Sequence, residues 1–177
     1  MDLTRLLNWV YMNTNRLIKI LLILLIVMAN VGCDQVSKKI VRLSVNPYET
    51  IHLLSNHLTV TRVENSGAFL SAGNSLSKPA KNILLSLLPL LAVAFGLVYV
   101  LSKPDISNKM LLGLCFVIGG GIGNIFDRVV HGSVTDFLHI NFGVFQTGIF
   151  NMADVSIMIG VVMILLQAIL RKKIIES

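Results

Sequence analysis

The sequence has few charged residues for its length. Of 177 residues, only 14% are Asp, Glu, Lys or Arg, whereas 54% are hydrophobic. A soluble domain carries roughly a quarter charged residues, so this chain has too little polar surface to cover a globule in water. The low charge therefore excludes an ordinary soluble protein and indicates that the solvent is a bilayer.

Residues that several classes of enzyme require are also scarce. The two cysteines, Cys33 and Cys115, fall in apolar stretches near opposite membrane faces, too far apart for a disulfide, and we interpret both as buried thiols. No serine stands in the nucleophile elbow of serine hydrolases. The four histidines lack the H-E-x-x-H spacing of a zinc site, although His131 and His139 leave another kind of metal site open.

Acidic residues are outnumbered by Lys and Arg, nine to fifteen. This excess could attract nucleic acid, but the basic residues are scattered and form no RNA- or DNA-binding motif, so we exclude nucleic acid as a partner. Their density is highest near the N-terminus, in the loop 102–109 and at the C-terminus. Because Lys and Arg near span ends favour the cytoplasmic side, we predict that both termini are cytoplasmic.

Four apolar stretches are each near the roughly 20 residues that cross the hydrocarbon core. The first has a basic leader and resembles a signal peptide, but three more stretches follow it, and we interpret it as a retained helix. We therefore predict an all-α membrane protein with one integral-membrane domain over residues 1–177. Its four transmembrane helices are expected at about 17–36, 83–101, 110–126 and 153–170.

The two segments predicted to lie outside the cytoplasm, at about 38–82 and 127–151, each contain an alternation of period two, the signature of a strand. The alternating residues are Leu58 to Thr61 in the first segment, and Val134, Asp136, Leu138 and Ile140 in the second. We predict a small β-rich extracytoplasmic region that rests on the helices at the membrane surface.

Polar residues gather at the outer ends of the predicted spans. Ionisable groups at membrane depth are costly and by default mark a functional site. A transporter or channel subunit could use them too, although its polar residues would be spread through the bilayer depth, and an assembly factor could bind a partner through the β segments. The residues concerned are Asp34, Lys38, Asn65, Asn124, Asp127, Arg128, Asp136, Asn151 and Asp154.

Some of these residues also have a purely structural interpretation. Asp34 and Lys38 are four residues apart, which suits an ion pair within one helix. Asn151 and Asp154 resemble a capping box at the start of the fourth span. The nearby glycines, including Gly119 and Gly123, indicate close helix packing, since no lysine follows them as in a phosphate-binding loop.

The acidic residues between the third and fourth spans are harder to assign. Asp127 could be neutralised by its neighbour Arg128, and Asp136 could be a solvated carboxylate at a sheet edge. Either could pair with Asp154. Two close Asp side chains share one proton, so that the ionised one deprotonates water while the protonated one polarises a carbonyl, which is peptide hydrolysis without a metal. We favour Asp136, because local partners satisfy the charge of Asp127 whereas Asp136 lies in an apolar strand pattern without a nearby cation.

Five motifs in this order resemble the lipoprotein signal peptidase (signal peptidase II) family, bacterial enzymes that remove signal peptides from lipid-modified prolipoproteins. The first asparagine motif departs slightly, because Phe69-Leu70 follows where the family commonly continues with alanine and an aromatic residue. The motifs are Asp34-Gln35-Val36-Ser37-Lys38, Asn65-Ser66-Gly67-Ala68, Gly123-Asn124-Ile125-Phe126-Asp127-Arg128, Val134-Thr135-Asp136-Phe137 and Phe150-Asn151-Met152-Ala153-Asp154.

The resemblance implies an aspartyl endopeptidase that cleaves before the diacylglyceryl-cysteine at the outer face of the bacterial cytoplasmic (inner) membrane. Its expected partners are diacylglyceryl-modified prolipoproteins and membrane lipid, and we expect a monomer with no cofactor and no metal. It also implies roles for individual residues. The catalytic dyad would be Asp136 and Asp154, the substrate-binding residues would be Asn65, Asn124, Arg128 and Asn151, and structural support would come from Asp34, Lys38, Gly67 and Asp127.

Overall fold

The computed structural model describes residues 3–47, 49–54, 57–67, 76–103 and 105–175, with side chains only between residues 14 and 171. The motif residues Ala68, Phe69 and Leu70 lie outside the described residues. The elements are α1 (Leu3–Ser44), β1 (Thr50–Leu53), β2 (Leu58–Asn65), α2 (Lys78–Lys81), a π-helical stretch (Asn82–Leu87), α3 (Leu88–Ser102), α4 (Asn108–His131), β3 (Val134–Phe142), β4 (Phe145–Gln146) and α5 (Met152–Ile175).

Four helical segments of the described chain are long and apolar enough to span a membrane, which confirms the predicted fold class. Helix α4 extends beyond the apolar stretch that predicted it, because a helix continues until its end is capped. At the start of α4, Ser107 Oγ accepts a hydrogen bond from the Met110 amide, and Gly132 ends the helix with a φ of 78°. The segments are Thr14–Ser44, Lys78–Ser102, Asn108–His131 and Met152–Arg171.

Helix α4 is the central helix of the bundle, because its consecutive glycines admit three neighbouring helices. A Cβ at Gly119 would lie 2.6 Å from Asn30 Cβ on α1, and one at Gly121 would lie 2.7 Å from Val93 Cγ2 on α3. A Cβ at Gly120 would overlap the carbonyl oxygen of Ala153 on α5. The prediction that this glycine run serves close packing is confirmed.

We expect Gly120→Ala to lower the free energy of unfolding by about 2 kcal/mol, because the added methyl would meet backbone that cannot rotate away. Gly32→Ala is the matched control, since a Cβ at Gly32 has no neighbour within 4 Å. It should leave stability unchanged or slightly raised, as alanine is the better helix former. Thermal unfolding of both variants in detergent measures the difference. Equal melting temperatures would contradict the close contact between α4 and α5.

The four strands form one antiparallel sheet in the order β1-β2-β3-β4 at one end of the bundle. Strands β2 and β3 pair so that Val63 lies opposite Asp136, with a bulge between Val60 and Val63. A small apolar core under the sheet includes Val41 of α1 and Phe137 of β3. The two predicted strand segments are thus confirmed and pair with each other, whereas β1 and β4 were not predicted.

The two cysteines differ in environment. Both are free, and Cys115 is buried in the core between α1, α3 and α4. Cys33 is exposed, so the prediction that both thiols are buried was wrong for this residue. Successive residues of a helix point in directions about 100° apart. Asp34, the next residue, points into the bundle, and the Cys33 side chain is turned away from that direction.

Candidate active site

Polar side chains from four elements meet in a cavity of about 350 Å³ at the sheet end of the bundle. They come from the end of β2, the last turns of α4, the first part of β3 and the start of α5. The remaining lining is mainly apolar and includes Leu84, Leu85 and Pro89 from the second membrane-spanning helix. The polar residues are the six predicted as catalytic or substrate-binding, namely Asn65, Asn124, Arg128, Asp136, Asn151 and Asp154.

Asp136 is only 5% exposed, and amide groups hold both of its oxygens. Asn65 Nδ2 donates to Oδ2 at 2.9 Å, and Asn151 Nδ2 donates to Oδ1 at 2.6 Å. Burial raises the pKa of the Asp136 carboxyl to about 6, with a smaller contribution from the charge of Asp154, while the two amide donors oppose the rise. The alternative of a solvated edge carboxylate was wrong, because the Asp136 side chain is buried against the bundle.

Asp154 closes the capping box at the start of α5. Its Oδ2 accepts a hydrogen bond from the Asn151 amide at 3.1 Å, and its own amide donates to Asn151 Oδ1 at 3.0 Å. The predicted capping box is therefore confirmed. Capping leaves Asp154 Oδ1 free to accept from Asn124 Nδ2 at 2.9 Å. Both carboxylate oxygens are thus held in place, one by the helix start and one by α4.

Asn151 connects the two candidate carboxylates. Its backbone amide donates to Asp154, while its side-chain amide donates to Asp136 and also to Asn124 Oδ1 at 3.2 Å. Asn151 is fully buried, and a capping role alone would not explain the contact with β3. The arrangement holds two acidic side chains from different elements beside one cavity.

Arg128 places a cation and an unused donor at the same cavity. Its Nη2 donates to the Gly67 carbonyl at 2.6 Å, and the Gly67 amide donates to Asn65 Oδ1 at 2.9 Å. Its Nε is buried and makes no hydrogen bond to the residues that the structure describes. A buried donor without a partner is costly, so this nitrogen is available to an oxygen atom of a bound molecule.

Asp127 points away from the cavity, into a buried ion cluster with α1. Lys38 Nζ lies 2.8 Å from Asp34 Oδ2 and 3.0 Å from Asp127 Oδ2, with no exposure of any of the three side chains. The predicted Asp34–Lys38 ion pair is confirmed. The alternative of an Asp127–Arg128 contact was wrong, because adjacent residues on a helix do not face each other.

Arg42 belongs to this cluster and was not predicted. Its Nη2 lies 3.0 Å from Asp127 Oδ1, and its Nε donates to Thr135 Oγ1 at 2.8 Å. Since Arg42 follows Lys38 by four residues, it lies on the same face of α1, and this spacing was a signal that could have identified it. The apolar lining from Leu84 and Leu85 has no comparable signal in the sequence.

No group of three or more His, Cys, Asp or Glu side chains is placed to hold a metal ion within the described ranges. The polar side chains that line the cavity in the described part of the chain are two carboxylates, three amides and one guanidinium. Such a set can bind carbonyl oxygens through its donors and can move protons through its carboxylates.

Comparisons with known proteins point in one direction. A family model for signal peptidase (SPase) II matches residues 9–170. The lipoprotein signal peptidase of Streptococcus pneumoniae is 31% identical over 153 residues, which cover 86% of this chain and 95% of the relative. The lipoprotein signal peptidase of Solibacter usitatus is 27% identical over 140 residues, covering 79% of this chain and 85% of that protein.

The fold has a similar solved structure. A bacterial membrane enzyme determined by the in meso method at 1.9 Å resolution superposes with a TM-score of 0.71. The two chains are 28% identical, and the match covers 82% of this chain and 91% of the other.

Proposed function

The chain belongs to the signal peptidase II family, whose members remove signal peptides from prolipoproteins, and from this premise we propose that it hydrolyses the peptide bond with Asp136 and Asp154. The observation that carries the proposal is that both carboxylates border one cavity and that Asn151 hydrogen-bonds to each of them. The alternative functions, transport and assembly, lose their basis once the chain is placed in a peptidase family.

The proposed reaction uses one proton shared by the pair. Protonated Asp136 gives its proton to the scissile carbonyl oxygen, while the Asp154 carboxylate takes a proton from water, whose oxygen attacks the carbonyl carbon. In the tetrahedral intermediate, Asp154 passes its proton to the leaving nitrogen and the C–N bond breaks. The proton that Asp136 gave up returns from the hydroxyl group of the intermediate, which becomes the carboxyl group of the released signal peptide.

The environment of Asp136 supports its role as the proton donor. Its pKa of about 6 already lies above the ordinary range of aspartate. A bound peptide would displace water and strengthen burial, which is the main cause of the rise. Arg128 Nε and the amide of Asn124 are suited to the carbonyl oxygens of the substrate, since both lie at the cavity and act as donors.

The substrate class follows from the family and from the position of the cavity. We propose cleavage before a diacylglyceryl-cysteine, with the acyl chains in the bilayer and the scissile bond among the polar residues at the end of the bundle. The six polar side chains of the cavity belong to a single chain, so the proposed active species is a monomer.

The test of the proposed function incubates the purified protein with a diacylglyceryl-modified prolipoprotein in detergent micelles, and cleavage is read as a shift on a gel. An unlipidated prolipoprotein, the matched control, should remain uncut.

We place the cavity at the extracytoplasmic face of the bacterial cytoplasmic membrane, with both termini in the cytoplasm. In a background without Cys33 and Cys115, the exposed residue Val144 at the sheet end and the exposed residue Asp105 at the opposite end each receive a cysteine. A membrane-impermeant maleimide should label Val144→Cys from outside intact cells and Asp105→Cys only after lysis. Labelling in the reverse pattern would contradict this topology.

The pH profile offers a test of the proton donor. Because Asp136 must be protonated, kcat/KM should fall as the pH rises through about 6, the pKa of this carboxyl in the free enzyme. Asn65 donates to the charged form and so lowers that pKa. Asn65→Ala should therefore move the alkaline limb to higher pH, together with a lower maximum. A limb that stayed in place or moved to lower pH would exclude Asp136 as the group that titrates.

A further inference from the structure

Lys38 uses every donor of its ammonium group within the protein. Its side chain is completely buried, and Nζ lies 2.8 Å from Asp34 Oδ2, 3.0 Å from Asp127 Oδ2 and 3.0 Å from Asn124 Oδ1. An ammonium group has three protons to donate, so these contacts account for all of them. No proton of Lys38 is left for substrate, and the cavity lining does not include this residue.

Each of the three partners holds one part of the proposed dyad. Asp34 Oδ1 accepts a hydrogen bond at 2.9 Å from the amide of Ala153, the residue before Asp154. Asp127 Oδ2 accepts one at 3.2 Å from the amide of Thr135, the residue before Asp136. The third partner, Asn124, donates its Nδ2 directly to Asp154 Oδ1 at 2.9 Å.

We propose that Lys38 is a positioning residue for catalysis, which sets the separation and the hydrogen bonding of Asp136 and Asp154 without touching the substrate. The inference rests on the proposed function of the dyad. Lys38 joins the carboxylates that hold the backbone before each catalytic aspartate, and these lie on different elements, β3 and α5. A displacement of about 1 Å in a catalytic group costs on the order of 100-fold in rate.

Lys38 also helps to determine which way the amide of Asn124 faces. Its ammonium would meet an NH2 group with two donors opposed if the amide were reversed, so the carbonyl oxygen must face Lys38. The NH2 group is then directed at Asp154, whose Oδ1 it holds in place. Asn151 Nδ2 donates to the same oxygen of Asn124 at 3.2 Å, so removal of Lys38 leaves only this longer contact to fix the orientation of the amide.

The simpler role for Lys38 is neutralisation of buried charge. Asp34 and Asp127 are two buried anions, and Lys38 and Arg42 are the two cations that contact them. Removing Lys38 alone leaves one carboxylate uncompensated, which destabilises the fold whatever happens at the dyad. The double variant Lys38→Met with Asp34→Asn restores the charge balance. The asparagine oxygen can still accept the hydrogen bond from Ala153.

The decisive experiment measures three quantities on this double variant, namely its melting temperature, its affinity for an uncleavable lipopeptide and its single-turnover rate at saturating lipidated prolipoprotein. We expect binding within threefold of the unmodified chain and a rate at least 100-fold lower. Ile23→Ala is the matched stability control, since Ile23 is buried on the same helix in the core shared with Val100 and Ile118. It should lower the melting temperature and keep the single-turnover rate within threefold.

A double variant that folds, binds and cleaves within fivefold of the unmodified chain would show that Lys38 serves charge balance alone, and the proposal would be wrong. If the double variant does not fold, Asn124→Leu tests the contact between Lys38 and the dyad at its other partner. This variant removes the hydrogen bond from Lys38 to Asn124 but keeps the ion pairs of Lys38 with Asp34 and Asp127. A single-turnover rate within fivefold of the unmodified chain for Asn124→Leu overturns the proposal equally.

Asp136→Asn, measured in parallel, separates the hypothesis of the catalytic dyad from the hypothesis that Lys38 positions it. If it cleaves normally, the dyad itself is wrong, whereas if it is inactive and the Lys38 variant is active, only the positioning role fails.

Discussion

Asp136→Asn and Asp154→Asn should each slow the single-turnover cleavage of a lipidated prolipoprotein by about 1,000-fold or more. Asparagine has nearly the same shape as aspartate but can neither accept the proton of water nor pass one to the carbonyl oxygen. Loss of a positioned acid or base costs roughly 100- to 10,000-fold in rate. A pair that works as a unit loses most of its effect when either member is removed.

The two substitutions should differ in their structural cost. At Asp136 the new NH2 group must face the amide donor of Asn65 or of Asn151, because each oxygen of the carboxylate accepts one of them. At Asp154 the corresponding donors are the Asn124 side chain and the Asn151 backbone amide. Thermal unfolding in detergent is therefore measured beside activity, and both variants should still fold.

Two controls distinguish the dyad from a general effect of lost charge and from a metal-dependent reaction. Asp105→Asn also removes a carboxylate, an exposed one at the other end of the bundle, and should leave the rate within threefold of the unmodified chain. A chelator should have no effect on the unmodified protein, since the histidine spacing predicts no zinc site. Cleavage within tenfold of normal by either folded dyad variant would remove that residue from the proposed mechanism. Inhibition by a chelator that added zinc reverses would favour a metallopeptidase.

The site could largely be predicted because its residues sit at the ends of elements whose type the sequence makes plain. Asn124 and Arg128 share a face of an apolar helix by their spacing of four, and Asn151 and Asp154 indicate a helix start. Asp136 stands in a strand alternation. Since each span must cross the bilayer completely, the outer ends of the spans lie at one surface. Motifs that are distant in sequence can therefore be predicted to lie close together even when the packing of the helices is not known.

Other features could not be predicted because they depend on contacts between elements. The ion pair of Lys38 with Asp127 joins α1 to α4 across 89 positions of sequence, and only the packed bundle shows that Asp127 faces α1 rather than its neighbour Arg128. Strand β1 has four exposed residues, and β4 has only two residues. Neither carries a burial pattern of its own, so pairing with β2 and β3 is what makes them strands.

Asp127→Asn should lower the free energy of unfolding by about 3 kcal/mol while single-turnover cleavage stays within tenfold of normal. The two oxygens of this buried carboxylate have different partners. Oδ2 accepts from Lys38 and from the Thr135 amide, whereas Oδ1 accepts from Gln35 and lies 3.0 Å from Arg42 Nη2. An asparagine can keep its oxygen at the Oδ2 position, and its NH2 group then opposes the donors of Gln35 and Arg42.

The expected result follows from which contacts survive. The hydrogen bond to Thr135 persists, so the backbone before Asp136 stays in place and turnover continues. The loss of one charge in a buried cluster leaves its cationic partner uncompensated, and breaking a buried pair costs roughly 3 to 5 kcal/mol. Asp136→Asn should show the opposite pattern, with a smaller loss of stability and no turnover. Because Asp127 and Asp136 are the two acids that could pair with Asp154, unfolding and single-turnover rates measured on both variants decide between them. If Asp127→Asn were folded but inactive and Asp136→Asn were active, Asp127 would be the catalytic partner of Asp154 and Asp136 the structural residue.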